Sequence, residues 1–376
     1  MRWVATSPNG RRGHPRAAGA RRPHEPGRRA RHGGEPVSGH SPTAPSESAS
    51  AVSDAARLLS EATDVTLFAH VNPDADALGS ALALGRALRR RGASVRVSFG
   101  WPGEPPVSLR SLDADGLVVP ATEVPEVPPT LVVCDTGSLQ RLGPLSDRVG
   151  ATIAAGGDVL VIDHHVANTR YGTHHLIDER AEATVLIVLR LLDEMGVELD
   201  LPTARCLYAG LVTDTRSFRH ASAATHRMAA RLLEAGVDPE ATTRPLLDTH
   251  PFRWMGMLSG VLGAAQLEPS AARGLGLVHT TVRLADSDGL GSEEIDSVID
   301  VVRTTSEAEV AAVLKETAPG RWSVSLRADS RVDVGRAATA CGGGGHRLAS
   351  GFTADGEAGD VLAALRKALD EAPLLG

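Results

Sequence analysis

The sequence predicts an α/β fold with two domains: an N-terminal domain with a mostly parallel sheet flanked by helices, and a smaller C-terminal α/β domain. Three observations support this prediction. The chain has 376 residues, which is enough for two hydrophobic cores. Up to about residue 214, short apolar segments alternate with segments of helical periodicity, as in βαβ units. Beyond residue 270, the expected strands and helices no longer alternate one by one. We therefore expect domains over 51–250 and 271–376, joined by a helical linker over 251–270.

Residues 1–50 are expected to form a disordered basic tail. They are rich in Gly, Pro, Arg and Ser, and residues 1–35 contain nine Arg and two Glu. Such a segment cannot bury enough apolar surface to offset its conformational entropy. A basic tail can contact nucleic acid, but a solvated extension is the simpler interpretation.

The first part of the N-terminal domain is expected to contain two helices and two strands. Helical periodicity predicts helices over 55–62 and 77–91. The β-branched and apolar residues of 65–70 and 95–97 predict strands. The Pro-rich residues 101–130 predict an irregular connection.

Two further strands are expected over 131–135 and 159–163, and each of them ends in Asp. Helical patterns follow over 181–195 and 203–212. Strands that alternate with helices in this way normally form a parallel sheet with helices on both faces.

The C-terminal domain is expected to follow a helix over 251–266. Its expected elements are strands over 277–282, 308–314 and 323–326, and helices over 292–303 and 358–369.

Composition and charge exclude several classes of protein. Without residues 1–35, the chain has 30 basic and 44 acidic residues. A body this acidic does not coat duplex nucleic acid, but it can bind a short anion where cations gather. Aromatic residues make up only 3%, which disfavours a stacking channel for long single strands. There is no apolar run of membrane-spanning length and no secretory signal, so we expect a cytoplasmic protein with no membrane partner. The scattered Cys134, Cys206 and Cys341 are expected to be ordinary thiols.

Potential metal ligands follow three of the expected strands and one expected helix. They are His70, Asp74 and Asp76 after the first strand, Asp135 after the third, Asp163, His164 and His165 after the fourth, and Asp214 after the helix. Ligands bind beyond the carboxyl ends of parallel strands, so these side chains are expected to converge. Burying so many carboxylates and imidazoles together is costly unless cations neutralise them. Oxygen and imidazole ligands without a thiolate favour two Mn²⁺ or Mg²⁺ ions, an arrangement typical of phosphoester hydrolysis.

In order and spacing, these residues resemble the four motifs of the DHH phosphoesterases. The C-terminal run Gly342–Gly345 and His346, followed by Ala349 and Gly351, resembles the DHHA1 signature. The resemblance covers roughly residues 55–355 and implies that the active site lies in the cleft between the domains.

The resemblance also implies a role for each motif residue. One metal would be held by His70, Asp74 and Asp135. The other would be held by Asp76, Asp135, His164 and Asp214, with Asp135 bridging the two. His165 would face the scissile phosphate as a hydrogen-bond donor or acid, and Asp163 would orient the two histidines. Asn72 and Asn168 are expected nearby.

Substrate binding is expected in the C-terminal domain. The glycines allow close approach of the backbone and can direct N–H groups at an anion. By this interpretation, the substrate-binding residues are Arg327, Gly343, Gly344, Gly345 and His346.

Among DHH/DHHA1 members, the chain resembles the oligoribonuclease/3′-phosphoadenosine-5′-phosphate phosphatase group, or nanoRNases. This implies Mn²⁺-dependent cleavage of short RNA or DNA oligonucleotides or nucleotides, and a homodimer by analogy with such enzymes. A cyclic di-AMP or pApA phosphodiesterase and a non-catalytic nucleotide-binding regulator remain alternatives. Family II pyrophosphatases share the first four motifs but lack the glycine–histidine motif. One departure concerns Arg216, which occupies a position usually held by Gly in the family.

Overall fold

The computed structural model describes residues 47–375. Most of the segment expected to be a disordered basic tail, residues 1–46, lies outside the described residues. Within residues 47–375, no helix is both long enough and apolar enough to cross a membrane.

The N-terminal half contains a sheet that is parallel throughout, as predicted. Its strands are β1 (Asp64–Phe68), β2 (Ser94–Ser98), β3 (Thr130–Cys134), β4 (Asp158–Asp163) and β5 (His174–Ile177), in the order β2-β1-β3-β4-β5. Its helices are α1 (Glu47–Glu61), α2 (Ala75–Arg90), α3 (Ser146–Ala154), α4 (Thr184–Glu194), α5 (Leu201–Asp214), α6 (Ala223–Glu234) and α7 (Pro239–Leu247). Both faces of the sheet are buried against apolar side chains, which explains why β3 is buried along its whole length and apolar after Thr130.

The C-terminal half follows α8 (Phe252–Gly263) and contains a mixed sheet. Its strands are β6 (Gln266–Glu268), β7 (Leu277–Val282), β8 (Val310–Ala318), β9 (Arg321–Ala328), β10 (Gly344–Gly345) and β11 (Ala349–Asp355), in the order β10-β11-β9-β8-β7-β6. Its helices are α9 (Ala271–Gly274), α10 (Ser292–Asp296), α11 (Val298–Val302), α12 (Val334–Ala340) and α13 (Ala358–Glu371). The pair β7 and β8 is parallel, and the other neighbouring strands are antiparallel.

Helices α2 and α5 pack against each other unusually closely. A Cβ atom at Gly79 would lie 2.6 Å from the carbonyl oxygen of Cys206, and one at Gly210 would lie 2.9 Å from the Cα of Asp76. Only glycine fits at these contacts. The close packing matters for the site because α2 carries Asp76 in its first turn and α5 ends at Asp214.

Several elements differ from the sequence expectations. The first helix begins at Glu47 rather than at residue 55, and the single helix expected over 292–303 is divided into α10 and α11. The elements α3, β5, α6, α7, β6, α9, α12, β10 and β11 were not expected. Strand β5 has four residues and begins with two histidines, so it lacks the apolar β-branched pattern that predicts a strand. Cys134 and Cys206 are buried and Cys341 is partly buried, all as free thiols.

Candidate metal centre

The six predicted metal ligands come together at the carboxyl edge of the N-terminal sheet. The neighbouring parallel strands β1, β3 and β4 end at this edge, and each is followed by ligand residues. Helices α2 and α5 add the remaining carboxylates. The residues brought together are His70, Asp74, Asp76, Asp135, His164 and Asp214.

Asp135 lies between two histidines. Its Oδ2 is 3.8 Å from Nε2 of His70, and its Oδ1 is 3.5 Å from Nε2 of His164. Thr184 Oγ1 donates a hydrogen bond to Oδ1 at 2.7 Å. The backbone of Asp135 is left-handed, with φ of 54°, a conformation that non-glycine residues seldom adopt away from functional sites. The two oxygens of one carboxylate therefore face two separate imidazole groups.

On one side of Asp135, the ligand atoms of His70 and Asp74 are already oriented. Nδ1 of His70 donates to the carbonyl of Val71 at 2.8 Å, which leaves the Nε2 lone pair free. Asp74 caps α2, and its Oδ1 accepts from the N–H groups of Asp76 and Ala77. Its Oδ2 lies 3.5 Å from Nε2 of His70. Each residue thus uses one polar atom for structure and presents the other at the centre.

On the other side, the predicted ligands are Asp76, His164 and Asp214. Nδ1 of His164 donates to the carbonyl of Ala181 at 3.1 Å, so its Nε2 is again the free nitrogen, 3.3 Å from Oδ2 of Asp214. Asp76 is completely buried and accepts from the backbone N–H groups of residues 184 and 185, at the start of α4.

The cluster fits a divalent cation on chemical grounds. Desolvation and the negative charge of Asp135 raise the pKa of Asp76 and of Asp214 well above the ordinary carboxyl value. Mutual repulsion of this kind is relieved by positive charge. Atoms of His70, Asp74 and Asp135, and of Asp76, Asp135 and His164, lie within 4.8 Å of one another. These two sets share Asp135.

Asp163 and His165 form a second polar group beside the first. Asp163 is fully buried and accepts from Nδ1 of His165 at 2.7 Å, from the backbone N–H of His164 at 2.9 Å and from the side chain of Asn168 at 2.5 Å. Burial alone would lower the pKa of His165, but the hydrogen bond to Asp163 and the nearby carboxylates outweigh it and raise the pKa to about 9. Asp163 therefore holds the ring of His165, whereas the ring of His164 is held by the carbonyl of Ala181 and Asp163 reaches only its backbone N–H.

The C-terminal half reaches this site through His346. The residue lies at the turn between β10 and β11, closed by reciprocal backbone hydrogen bonds between His346 and Ala349. Its ring stacks on that of His165, with centroids 4.5 Å apart and planes at 21°. Burial and the neighbouring His165 and His164 lower the pKa of His346 to about 4.

The glycine run has a different hydrogen-bonding pattern from the one its composition suggests. The N–H groups of Gly342 and Gly343 donate to carbonyls at the end of α12. Gly344 and Gly345 pair with β11. Gly343 needs its missing side chain, since a Cβ atom there would lie 2.1 Å from the carbonyl oxygen of Gly351. The run therefore builds the hairpin that carries His346.

The charges of two arginines that were not expected, Arg141 and Arg216, act on residues of the site. The expected Arg327 lies on β9 and donates to the carbonyl of Leu326 at 3.0 Å. Arg141 influences the pKa of His70, Asp74, His165 and His346, and its carbonyl accepts from the N–H of residue 71 at 2.8 Å. Arg216 lies beside Asp214, and its positive charge only partly opposes the burial and the Asp135 charge that raise the carboxyl pKa of Asp214. Thr184 was also missed, because its hydroxyl meets Asp135 only through the packing of α4.

A cavity beside Asp74 is lined by residues of both halves. Asn72, which has a left-handed backbone, lies on the N-terminal side together with Ser108. Glu293 and Asp296 lie opposite, and Ser108 donates a hydrogen bond to Glu293. The two halves thus meet on both flanks of the ligand cluster, here and at the His165–His346 contact.

Family models match both halves of the chain. The model described as DHH family, N-terminal domain, matches residues 64–211. The DHHA1 domain model matches residues 275–372. Every residue of the candidate metal centre except Asp214 lies within the first match, and the His346 hairpin lies within the second.

Named relatives and a solved structure agree with these matches. The chain is 33% identical over 317 residues to the bifunctional oligoribonuclease and PAP phosphatase NrnA of Thermus thermophilus, covering 81% of this chain and 90% of that protein. It is 30% identical over 161 residues to a probable manganese-dependent inorganic pyrophosphatase of Deinococcus radiodurans, covering 41% and 48%. The structure of an exopolyphosphatase-related protein from Bacteroides fragilis superposes with a TM-score of 0.76 at 20% identity, covering 86% and 96%, and so shares the fold.

Proposed function

Since the chain belongs to the DHH family and carries a DHHA1 domain after its DHH domain, we propose that it is a two-metal phosphoesterase acting on short oligonucleotides and on 3′-phosphoadenosine-5′-phosphate. The name of the Thermus relative supports these substrates. The name of the Deinococcus relative supports Mn²⁺ as the favoured ion. The acidic body of the chain fits a short anionic substrate better than a long duplex.

The observation that carries the proposal is the position of Asp135. Its two oxygens face the free Nε2 atoms of His70 and His164. One side of the proposed centre would use His70, Asp74 and Asp135, and the other Asp76, Asp135, His164 and Asp214. Divalent cations held there would supply positive charge to the attacking and leaving oxygens of an in-line displacement at phosphorus.

The residues around the ligands would bind and orient the phosphate ester. His165 is held through Nδ1 by Asp163, so its Nε2 is the atom available to donate a proton to the ester. Arg141 would offset charge on the phosphate oxygens, because its positive charge acts on His70 and His165. His346 and Arg327 would hold the part of the substrate that does not react.

A substrate panel tests the proposal. The purified chain should release mononucleotides from short RNA and phosphate from 3′-phosphoadenosine-5′-phosphate when Mn²⁺ is present, and neither product in excess EDTA. Cyclic di-AMP and pApA belong in the same panel, since faster hydrolysis of these would favour the cyclic dinucleotide alternative. Nucleotide binding without hydrolysis of any of these substrates would reject the proposal in favour of a non-catalytic regulator.

A further inference from the structure

The cavity beside Asp74 has an apolar side and a polar side. The apolar side belongs to the N-terminal half and consists of Pro73, Ala75, Pro106, Leu109 and Leu246. The volume of the cavity is about 240 Å³, below the roughly 300–1,000 Å³ of sites for drug-sized ligands. The cavity therefore has room for a single ring system against its apolar side.

The polar side is formed by α10 of the C-terminal half. Glu293 and Asp296 line the cavity and lie three residues apart, which places their side chains on the same face of the helix. Each carboxylate is held at one oxygen: Ser108 donates to Oε1 of Glu293, and Lys315 donates to Oδ1 of Asp296. A carboxylate has about four acceptor positions. Both groups therefore keep acceptor positions for a ligand in the cavity, in an orientation that their partners fix.

The two carboxylates are poorly arranged for a metal ion. Among residues 47–375, no group of three His, Cys, Asp or Glu ligand atoms within 4.8 Å of one another includes Glu293 or Asp296. Carboxylates that stand apart beside an apolar wall instead match a flat ring whose edge donates hydrogen bonds. A nucleobase is such a ring, whereas a ribose has no flat apolar face to cover the two prolines.

The cavity adjoins the proposed metal centre. Asp74 lines it and also faces His70, with Oδ2 3.5 Å from Nε2 of the imidazole. Thr213, which directly precedes the predicted ligand Asp214, lines it as well. A phosphate ester held at the centre would thus carry one of its nucleosides next to the cavity. A base bound there would position the ester without touching the reacting atoms.

We propose that the cavity binds guanine and makes guanine the preferred base of short substrates. Guanine presents two neighbouring donors on one edge, the N1–H and the 2-amino group, whereas adenine has a single amino group there and hypoxanthine only the N1–H. Hydrogen bonds to a carboxylate are roughly twice as strong as those between neutral groups. The inference rests on the proposed function and adds a substrate class, guanine-containing oligonucleotides of a few residues.

Three dinucleotides that differ only in the base test the inference: GpG, ApA, and IpI, in which hypoxanthine replaces guanine. GpG and IpI differ only by the 2-amino groups. Steady-state kinetics with Mn²⁺ would be measured for the wild-type chain and for the double variant Glu293→Gln/Asp296→Asn. The two amides keep the size of the side chains and an oxygen that accepts from Ser108 and from Lys315.

The matched control is Glu123→Gln/Glu126→Gln. It also removes two carboxylates three residues apart, and both are exposed in the connection before β3. Because β3 begins at Thr130, this connection lies at the amino edge of the sheet, opposite the proposed metal centre.

The wild-type chain should cleave GpG with a kcat/KM about 10- to 100-fold above the values for IpI and for ApA, mainly through KM, as expected for hydrogen bonds that read a base edge. In the double variant Glu293→Gln/Asp296→Asn, kcat/KM for GpG should fall at least about tenfold and kcat/KM for ApA should change less than about threefold. The control should keep the wild-type ratios. Thermal unfolding in EDTA should show that all three proteins are folded, and the wild-type comparison needs no variant.

Equal kcat/KM for GpG and IpI in the wild-type chain would overturn the inference. A preference that the double variant retains would do the same, as would an equal loss on all three substrates, which indicates a general role at the contact between the halves. If the wild-type chain cleaved none of the three, the proposed function would fail. Calorimetric binding of 5′-GMP and 5′-IMP in EDTA then decides the base site on its own. Tighter binding of GMP by wild type, lost in the double variant, supports the site, and equal binding overturns it.

Discussion

Asp135 combines three properties in one residue: a left-handed backbone, a hydrogen bond from Thr184 and two oxygens that face different histidines. Asparagine has nearly the same side-chain shape as aspartate and adopts the left-handed backbone conformation readily, but it lacks the negative charge. Asp135→Asn should therefore lower kcat by at least ~100-fold, because outer partners of metal ligands alone are worth 10- to 100-fold.

The measurement pairs turnover with thermal unfolding. Addition of Mn²⁺ should raise the melting temperature of the wild-type chain and raise that of Asp135→Asn much less, since binding to the folded state stabilises it. Circular dichroism should match for the two proteins in EDTA. Near-normal turnover in the variant would contradict the bridging position of Asp135.

His346 belongs to the hairpin of the C-terminal half and touches His165 by ring stacking. Because we assign it to substrate binding, His346→Ala should raise KM roughly 10-fold with kcat changed less than about threefold. His174→Ala is a suitable control, because His174 lies at the amino end of β5, opposite the site. A normal KM with a reduced kcat would place His346 in the chemical step instead.

Single residues were predictable where a potential metal ligand follows an apolar strand, as His70 and Asp135 do. The structure brings all six expected ligands together. Arg141 and Thr184 were missed because each reaches the centre through a turn or a helix packing that no local pattern encodes. Of the glycines expected to bind an anion, Gly343 donates its N–H to a carbonyl of α12, and the anion-binding role stays a prediction.

At the scale of elements, the contact between α2 and α5 determines how far Asp76 lies from Asp214. Gly79→Ala would place a methyl group 2.6 Å from a backbone oxygen of α5, so the helices must separate. We expect a loss of about 1–3 kcal/mol in the free energy of unfolding, as for overpacked cores. The apparent affinity for Mn²⁺ should fall as well.

Gly150→Ala provides the matched control. Gly150 is exposed within α3, and a Cβ atom there meets nothing within 4 Å. This variant should be as stable as wild type or up to ~1 kcal/mol more stable, since Ala favours helix over Gly. Chemical denaturation and Mn²⁺ titration of both variants test the idea, which fails if Gly79→Ala unfolds like wild type and binds Mn²⁺ equally well.

Elements with strong local patterns were predictable. Strands β1, β3 and β4 are apolar and β-branched, and each was expected within two residues of its observed ends. Helices α6 and α7 were not expected although both have Asp or Ser caps, because their apolar faces are narrow and only a few of their residues are buried. Their positions depend on packing against α5 rather than on local pattern.

At the scale of the whole molecule, the two halves meet on both sides of the ligand cluster. His346 packs against His165 on one side, and Ser108 bonds to Glu293 on the other. A substrate must fit between these contacts, so a long chain has little room to pass. For dinucleotides and tetranucleotides, kcat/KM should exceed that for decanucleotides at least about tenfold, which corresponds to about 1.4 kcal/mol.

A length series of one repeated sequence under Mn²⁺ measures this preference. Ser108→Ala is informative in the same series, because it removes one of the two contacts without touching a predicted ligand. We expect Ser108→Ala to reduce the ratio of kcat/KM for short substrates to kcat/KM for long substrates. Equal rates at all lengths in the wild-type chain would contradict a restricted cleft.

The glycine contacts between α2 and α5 also bear on which ions the protein can discriminate. Two helices already at their closest approach cannot move nearer to each other, so the space between Asp76 and Asp214 can only widen. Ca²⁺ forms bonds to oxygen roughly 0.3–0.5 Å longer than those of Mg²⁺. Binding Ca²⁺ would therefore require α2 and α5, which share a core, to separate. The packing of these helices would then contribute to selection by ionic radius as much as the type of ligand does.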